Sequence, residues 1–463
     1  MKKIQLATLI LTFLCIGTML FAGGFALSGI GSRAISMGGA FRGMADDGTA
    51  MYWNPAGLGF ISNNSVTLAG AGIYPASTFD YTGTQAGLTT AEIEATKKLW
   101  LFPNVFAVKA GECKLHYGLG VYVPYGLGAE WDAYSLPSTM PVSDGAGGYV
   151  MAPITWGTTG TDGNQYPLTE KESYSSIGIV DIHPTVSYRI MDNLSAGLGI
   201  SVNYGMITIK ALKPTLTPAS STPNYYVPTF MELEGSGIGY GANLGFIYRP
   251  TEKLSIGLTG KLPSEIKMSG DLKLRTYLNN LVAASMGVVS PFDTDVDATL
   301  KLPGDIGFGV SYAVNENWKV NADFAYTMWD VLDKVVVEFD DTYTTSMGPI
   351  NEEEMVMNWE NTMRFSMGTE YWLGCNGVRC GFFFDQSPIP DETLSPTWPD
   401  VNDKLSGNLG YSRKYGPFQF DINYEYIHFT EREITVQDPM FENQVGLYNT
   451  SVNAFNMGLT YNF

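Results

Sequence analysis

From about residue 62 onward the chain repeats one pattern, in which apolar and polar side chains alternate with period two. Extended backbone sends successive side chains to opposite faces, so each such segment is a strand with one apolar and one polar face. In "NADFAYTM" the residues Ala322, Phe324, Tyr326 and Met328 share one face, and Asn321, Asp323, Ala325 and Thr327 share the other. In "FQFDINYEY" the residues Phe418, Phe420, Ile422, Tyr424 and Tyr426 oppose Gln419, Asp421, Asn423 and Glu425. A soluble sandwich would bury the apolar face, whereas a membrane barrel turns it to lipid. Alternation alone does not separate the two.

The connections do. Strand segments are expected at about 65–74, 103–111, 113–124, 175–190, 192–210, 234–249, 254–269, 297–314, 316–337, 357–373, 377–386, 403–413, 416–433 and 452–463. The links "RPTEK", "NEN", "LGCNG" and "KYG" are tight turns, and tight turns alternate with long loops along the chain. Outer-membrane barrels have an even strand number, short periplasmic turns and long extracellular loops, and antiparallel order makes the two kinds of link alternate. The expected fold is all-β: a fourteen-stranded antiparallel transmembrane β-barrel.

Composition agrees. Of 463 residues 45% are hydrophobic and 13% aromatic, 52 are Gly, and only 16% are charged, below the roughly 25% usual for soluble domains. After the first twenty-odd residues there is no apolar run long enough for a transmembrane helix. A net charge of -19 excludes nucleic acid as a partner, since phosphates need a basic footprint.

The N-terminus, "MKKIQLATLILTFLCIGTMLFAGG", has two lysines, a short apolar core and small residues, the pattern of a signal peptide, here 1–22 with cleavage after Ala22. Residues 23–62 lack alternation and a long helix, yet are too apolar for a disordered tail. A segment placed before the first strand of a barrel can fold inward, so 23–62 is expected to be a plug, or hatch, and 63–463 the barrel. The chain ends on alternating "VNAFNMGLTYNF", whose terminal aromatic resembles the signal read by the barrel-assembly machinery.

Individual motifs carry less. "GIGSRA" (29–34) matches a dinucleotide fingerprint but lacks the preceding strand and the helix that make one. Asp46 and Asp47 are adjacent, and on extended backbone they point apart unless a turn bends them together, so they read as turn or capping residues. His183 shares a lumen face with Asp181 and Arg189, which admits a hydrolytic pair or a structural hydrogen bond. Cys375 and Cys380 flank "NGVR", a turn sequence, and suggest a cross-hairpin disulfide in an oxidising compartment; a zinc site would need two further ligands. No cofactor or metal is implied. Lumen-facing charges, Arg189, Asp323, Arg364, Glu370, Arg379, Asp385, Asp421 and Glu425, are expected to pair with one another, and Asp385 is a candidate ligand contact. In "RTYLNNLVAASMGVV" the residues Leu278, Leu281, Val282, Ser285 and Val289 fall at helical spacing and suggest a short amphipathic helix that either packs against neighbouring loops or roofs an apolar entry groove.

Several stretches together, "GSRAISMGGAFRGMADDGTAMYWNPAGL", "YGLGAEW", "TLKLPGDIGFGVSYAVNENWKVNADFAYTMW" and "FFFDQSPIPDETLSP", resemble the FadL family of outer-membrane transporters for long-chain fatty acids and related hydrophobic compounds, across essentially the whole mature chain. The resemblance implies a barrel closed by a hatch, an extracellular capture groove, a lumenal pocket, and ligand leaving sideways through a kink in the third strand. It maps the family's hatch turn to Asn54, Pro55 and Ala56, packed near the kink, and the kink to Pro124, Tyr125, Gly126 and Leu127. Pro124 removes a ladder donor and Gly126 tolerates irregular dihedrals, so an interruption is physically reasonable there. The implied partners are a hydrophobic small molecule, the lipid and lipopolysaccharide of the outer membrane, and the barrel-assembly machinery. Uptake of monoaromatic hydrocarbons is the alternative within the family. A general porin, a hydrolase using His183 or His116, and a purely structural barrel are the readings outside it.

Overall fold

Fourteen antiparallel strands close on themselves in the computed structural model, which describes residues 24–81, 92–111, 114–136, 138–143, 149–154, 172–216, 226–276, 291–345, 348–398, 400–436 and 443–463. The strands are β1 (Ser65–Asp80), β2 (Trp100–Lys109), β3 (Leu115–Asp132), β4 (Glu172–Met191), β5 (Leu194–Leu216), β6 (Tyr226–Tyr248) and β7 (Leu254–Lys261, continuing as Ser264–Thr276). They continue as β8 (Phe292–Leu302 and Gly304–Asn315), β9 (Trp318–Met328 and Lys334–Thr345), β10 (Gly348–Val356 and Thr362–Leu373), β11 (Asn376–Asp385), β12 (Lys404–Tyr415), β13 (Phe418–Phe429) and β14 (Gly446–Asn462). Each pairs with its neighbours in sequence, and β14 returns to β1 from Ser65↔Asn462 to Asp80↔Leu447. Closure removes the sheet edges except along the upper β2–β3 seam, where pairing stops at Val105↔Val121; in hydrocarbon an unpaired backbone group would cost several kcal/mol, by order of magnitude.

Exposure fixes which face looks out. On β12 and β13, Leu409 (65%), Phe420 and Ile422 are exposed, while Asp421, Asn423 and Glu425 (1%) are buried. On β9, Phe324 is exposed and Asp323 is 3% exposed. The apolar faces therefore meet lipid and the polar faces line the lumen. Tyr188, Tyr248, Tyr312, Trp318, Tyr371 and Tyr415 stand outward, the aromatic girdle expected where strands cross the bilayer surface. No helix among the described residues is long and apolar enough to cross a membrane.

Residues 24–62 fill the lumen. They hold two short helices, α1 (Ser32–Ile35) and α2 (Ala50–Trp53), then a 3₁₀ segment, Pro55–Phe60. Their apolar side chains, Ile30, Met37, Phe41, Met51, Trp53 and Leu58, form one core with Phe106, Val108, Tyr122 and Ile247 of the wall. The wall makes room with glycines: a Cβ at Gly197 would come within 2.3 Å of the Pro55 carbonyl carbon, and one at Gly257 within 2.1 Å of the Arg42 oxygen.

The expected disulfide is not formed. Cys375 and Cys380 are free, exposed thiols. The tight turn is Gly374–Cys375, immediately before "NGVR", because Leu373 already opposes Asn376 and the pairing runs on through Thr369↔Cys380. The two cysteines thus sit along one strand direction, about 16 Å apart at roughly 3.3 Å per residue, beyond the reach of a disulfide.

Candidate functional site

The third strand combines a register shift on one edge with pairing that stops partway along the other. Along its β4 edge, β3 is paired from Leu115↔Tyr188 to Asp132↔Glu172, with one register shift between Tyr122 and Tyr125. Along its β2 edge it is paired only from Lys109↔Tyr117 to Val105↔Val121. The shift brackets Val123 and Pro124, and Pro124 has no N–H to offer a neighbour.

The hatch takes the missing place. Gly126 N–H donates to Phe25 O (2.7 Å), Leu27 N–H donates to Pro124 O (3.0 Å), and Ala26 forms an antiparallel bridge with Tyr125. Phe25 packs its ring against Tyr125, Trp329 and Trp359 at 5.1–5.6 Å between centroids. Gly24 N–H donates to Asp400, which also pairs with Lys404 at 2.8 Å. Burial pushes the Asp400 carboxyl up to about 6, against the pull of Lys404. These residues lay outside the sequence reading, which placed 54–56 at the kink. The available signal was a short alternating stretch, Phe25, Ala26, Leu27, too brief to read as a strand.

Asn54, Pro55 and Ala56 sit elsewhere, against β4 to β7. The Asn54 side chain donates to Arg42 O (2.9 Å) and Phe246 O (3.1 Å) and accepts from Ala56 N–H (3.2 Å). Ser187 donates to Ala56 O at 3.2 Å. This turn thus anchors the hatch to the wall opposite Gly197 and Gly257, and the backbone partners of the kink are Phe25 and Leu27.

Below it lies a charged cluster. Arg33 binds Asp46 (2.5 Å), Asp47 (3.3 Å) and Glu370 (2.8 Å), and Arg379 binds Glu370 (2.7 Å) and Asp421 (3.1 Å). A left-handed turn at Ala45 (φ 25°) bends the two adjacent acids onto one guanidinium. Burial would raise Asp46, but Arg33 and Lys319 outweigh it and hold the carboxyl well below the usual carboxylate range, while burial prevails at Asp47 and raises it.

Beside the kink a cavity of about 100 Å³ is lined by Leu27, Tyr52, Pro124, Tyr125, His183, Lys261, Arg364 and Asp385, among others. Lys261, missed in the sequence, bonds the Tyr125 hydroxyl at 2.9 Å and lies 4.5 Å from its ring centre. Asp385 is 3.8 Å from Arg364. Asp181 and Ser201 both meet Nδ1 of His183, at 3.1 Å each, and Nε2 faces Asn243. A hydrolytic triad needs acid and nucleophile on opposite ring nitrogens, so this is a structural network. On the far side of Phe25 a second cavity, about 60 Å³, is lined by aliphatic and aromatic chains including Ile177, Ile207, Leu233, Met268, Val296 and Val337. Leu278, Leu281 and Val282 lie outside the described residues, as does the Leu127 side chain, though the Leu127 backbone opposes Ile177.

Residues 13–143 and 145–463 match the family model described as outer membrane protein transport protein (OMPP1/FadL/TodX). The chain is 23% identical to the long-chain fatty acid transport protein of Salmonella typhi, over 95% of each chain. It superposes on a crystallised Pseudomonas aeruginosa FadL homologue with a TM-score of 0.74 at 16% identity, covering 96% of this chain and 100% of that one. With the Pseudomonas putida toluene transporter TodX the TM-score is 0.67 at 15% identity, covering 94% and 99%.

Proposed function

Because the chain belongs to the outer membrane transport protein family (OMPP1/FadL/TodX), we propose that it takes up hydrophobic small molecules, long-chain fatty acids foremost, through an extracellular groove, the lumenal cavities and a side exit at the β3 kink. The observation that carries this reading is the β2 edge of β3, which stops pairing at Val121 and is occupied instead by Phe25 to Leu27. A straight route to the periplasm meets the hatch and its Arg33 cluster. The side route meets two backbone hydrogen bonds and one aromatic ring.

Transfer needs no nucleotide or cofactor. Each CH₂ that leaves water for an apolar cavity gains about 0.8 kcal/mol, so the Ile177–Val337 cavity is a sink for an acyl chain. Lys261 favours a fatty acid over a neutral ligand, because its half-buried ammonium bonds a phenol and has donors left for a carboxylate. Asp385 would shape the same chamber through Arg364, and Leu278, Leu281 and Val282 would belong to the capture groove. The small, apolar second cavity supports the other reading, a compact aromatic hydrocarbon. The barrel would sit among lipid and lipopolysaccharide and be inserted by the barrel-assembly machinery through its C-terminal strand.

The test is uptake of labelled palmitate and of toluene by cells making the full chain, before and after a bis-maleimide bridges Phe102→Cys on β2 to Tyr125→Cys on β3, both on the buried face of the wall. Bridging is expected to abolish uptake, and undiminished uptake would sink the side exit. Lys261→Met is expected to cut palmitate uptake about tenfold, one ionic hydrogen bond's worth, and spare toluene. The reverse pattern would assign the aromatic reading.

A further inference from the structure

The gap between β2 and β3 has two defined ends. At the extracellular end Thr96 N–H donates to Glu130 O (2.7 Å), and Lys98, which lies over the Trp100 ring, pairs with Glu130 at 3.2 Å. At the lower end the last ladder pair is Val105↔Val121. Just above that pair, Val123 N–H donates not to a backbone carbonyl but to the side-chain oxygen of Asn104 (3.3 Å). Both residues are buried. From Val123 to Glu130 the gap spans about 23 Å at roughly 3.3 Å per residue, long enough for an extended acyl chain lying along it.

The register says what would happen without that side chain. If the pairing of Val105 with Val121 continued, Pro103 would oppose Val123. Asn104 occupies the donor that would begin this continuation, and Pro103 has no N–H to return. A buried N–H that loses its partner must find another, and the carbonyl of Pro103 is the next in register.

We infer that Asn104 is a positioning residue that stops the β2–β3 ladder from zipping upward and so sets the open length of the slit, and with it the bulk of ligand that passes. This rests on the side-exit reading above. Asn104 itself need not touch the ligand; it acts through Val123.

The experiment uses the full chain in cells, with heat-modifiable gel mobility confirming a folded barrel, and compares uptake of palmitate with uptake of a pyrene-tagged acyl chain. Asn104→Leu, close in volume but without an acceptor, is expected to lower pyrene-chain uptake about tenfold relative to palmitate. Asn104→Asp keeps the acceptor and is expected to restore the ratio. An unchanged uptake ratio in folded Asn104→Leu protein, or a ratio that Asn104→Asp fails to restore, overturns the inference. If the bis-maleimide bridge blocks uptake while that ratio stays constant, the inference alone fails; if the bridge has no effect, the side exit fails with it.

Discussion

The two ends of the hatch are held by different physics. Its middle, from Ile30 to Phe60, is seated by buried ion pairs, by the Asn54 side chain and by close backbone approach to wall glycines. Its first residues, Gly24 to Leu27, are held by two backbone hydrogen bonds to β3, a carboxylate and a ring stack. The seat cannot slip without stranding charges in the lumen. The latch holds by two neutral backbone hydrogen bonds and a contact to Asp400, whose charge is also met by Lys404. On the side-exit reading proposed above, a plug that stays and a gate that moves are parts of one short segment.

Four changes probe that difference. Arg33→Ala removes the cation shared by Asp46, Asp47 and Glu370, leaving Asp46 with Lys319, Glu370 with Arg379 and Asp47 without its ion pair, a loss of about 3 kcal/mol. Its expected sign is leakage of small hydrophilic solutes in liposome swelling, and a leak-free variant would show that the cluster does not hold the seat. Phe25→Ala, costing about 3 kcal/mol at a fully buried ring, is expected to speed amide exchange across Phe25–Leu27 and Gly126 without any leak. Leakage in that variant would erase the distinction between seat and latch.

Asn54→Ala strands the Phe246 and Arg42 carbonyls, about 1–3 kcal/mol, and is expected to lower the denaturant midpoint of the hatch-core Trp53 fluorescence while the barrel still migrates as folded. The pH responses of the two ends are smallest, about 1 kcal/mol each, and opposite in sign. Asp46 is held below its ordinary 3.8, so its contribution is complete above that value and is lost as pH falls further. Asp400 is raised to about 6, so the latch is strengthened as pH falls from 7 toward 4, where protonation relieves a buried charge. Followed from pH 7 to 3, exchange protection at Leu27 is expected to rise between 7 and 4, and solute leakage to rise only below 3.8; protection that falls in the first window, or leakage that begins within it, would contradict the assignment.

Much of this architecture was legible in the residues. Period-two alternation placed all fourteen strands, because in lipid each outward position must be apolar and a strand offers every second one. The tight turns and the polar faces followed from the same rule, and so did the lumenal location of Asp323, Asp385, Asp421 and Glu425. Resemblance supplied the kink. It could not supply what meets the kink, because contact between Phe25 and Gly126 crosses a hundred residues and leaves no local trace.

What the chain alone determined is therefore periodic: strand number, facing, and the existence of a non-alternating N-terminal segment. Tertiary structure decided everything that depends on register or on bending back. It moved the turn to Gly374 and Cys375 and so separated two cysteines that looked paired. It folded Asp46 and Asp47 onto Arg33 through one left-handed residue. It carried Asn54 to the β5–β7 wall and brought Phe25 to β3, because hydrogen-bond donors buried in a barrel must be met by whichever acceptor the closed shape places nearest.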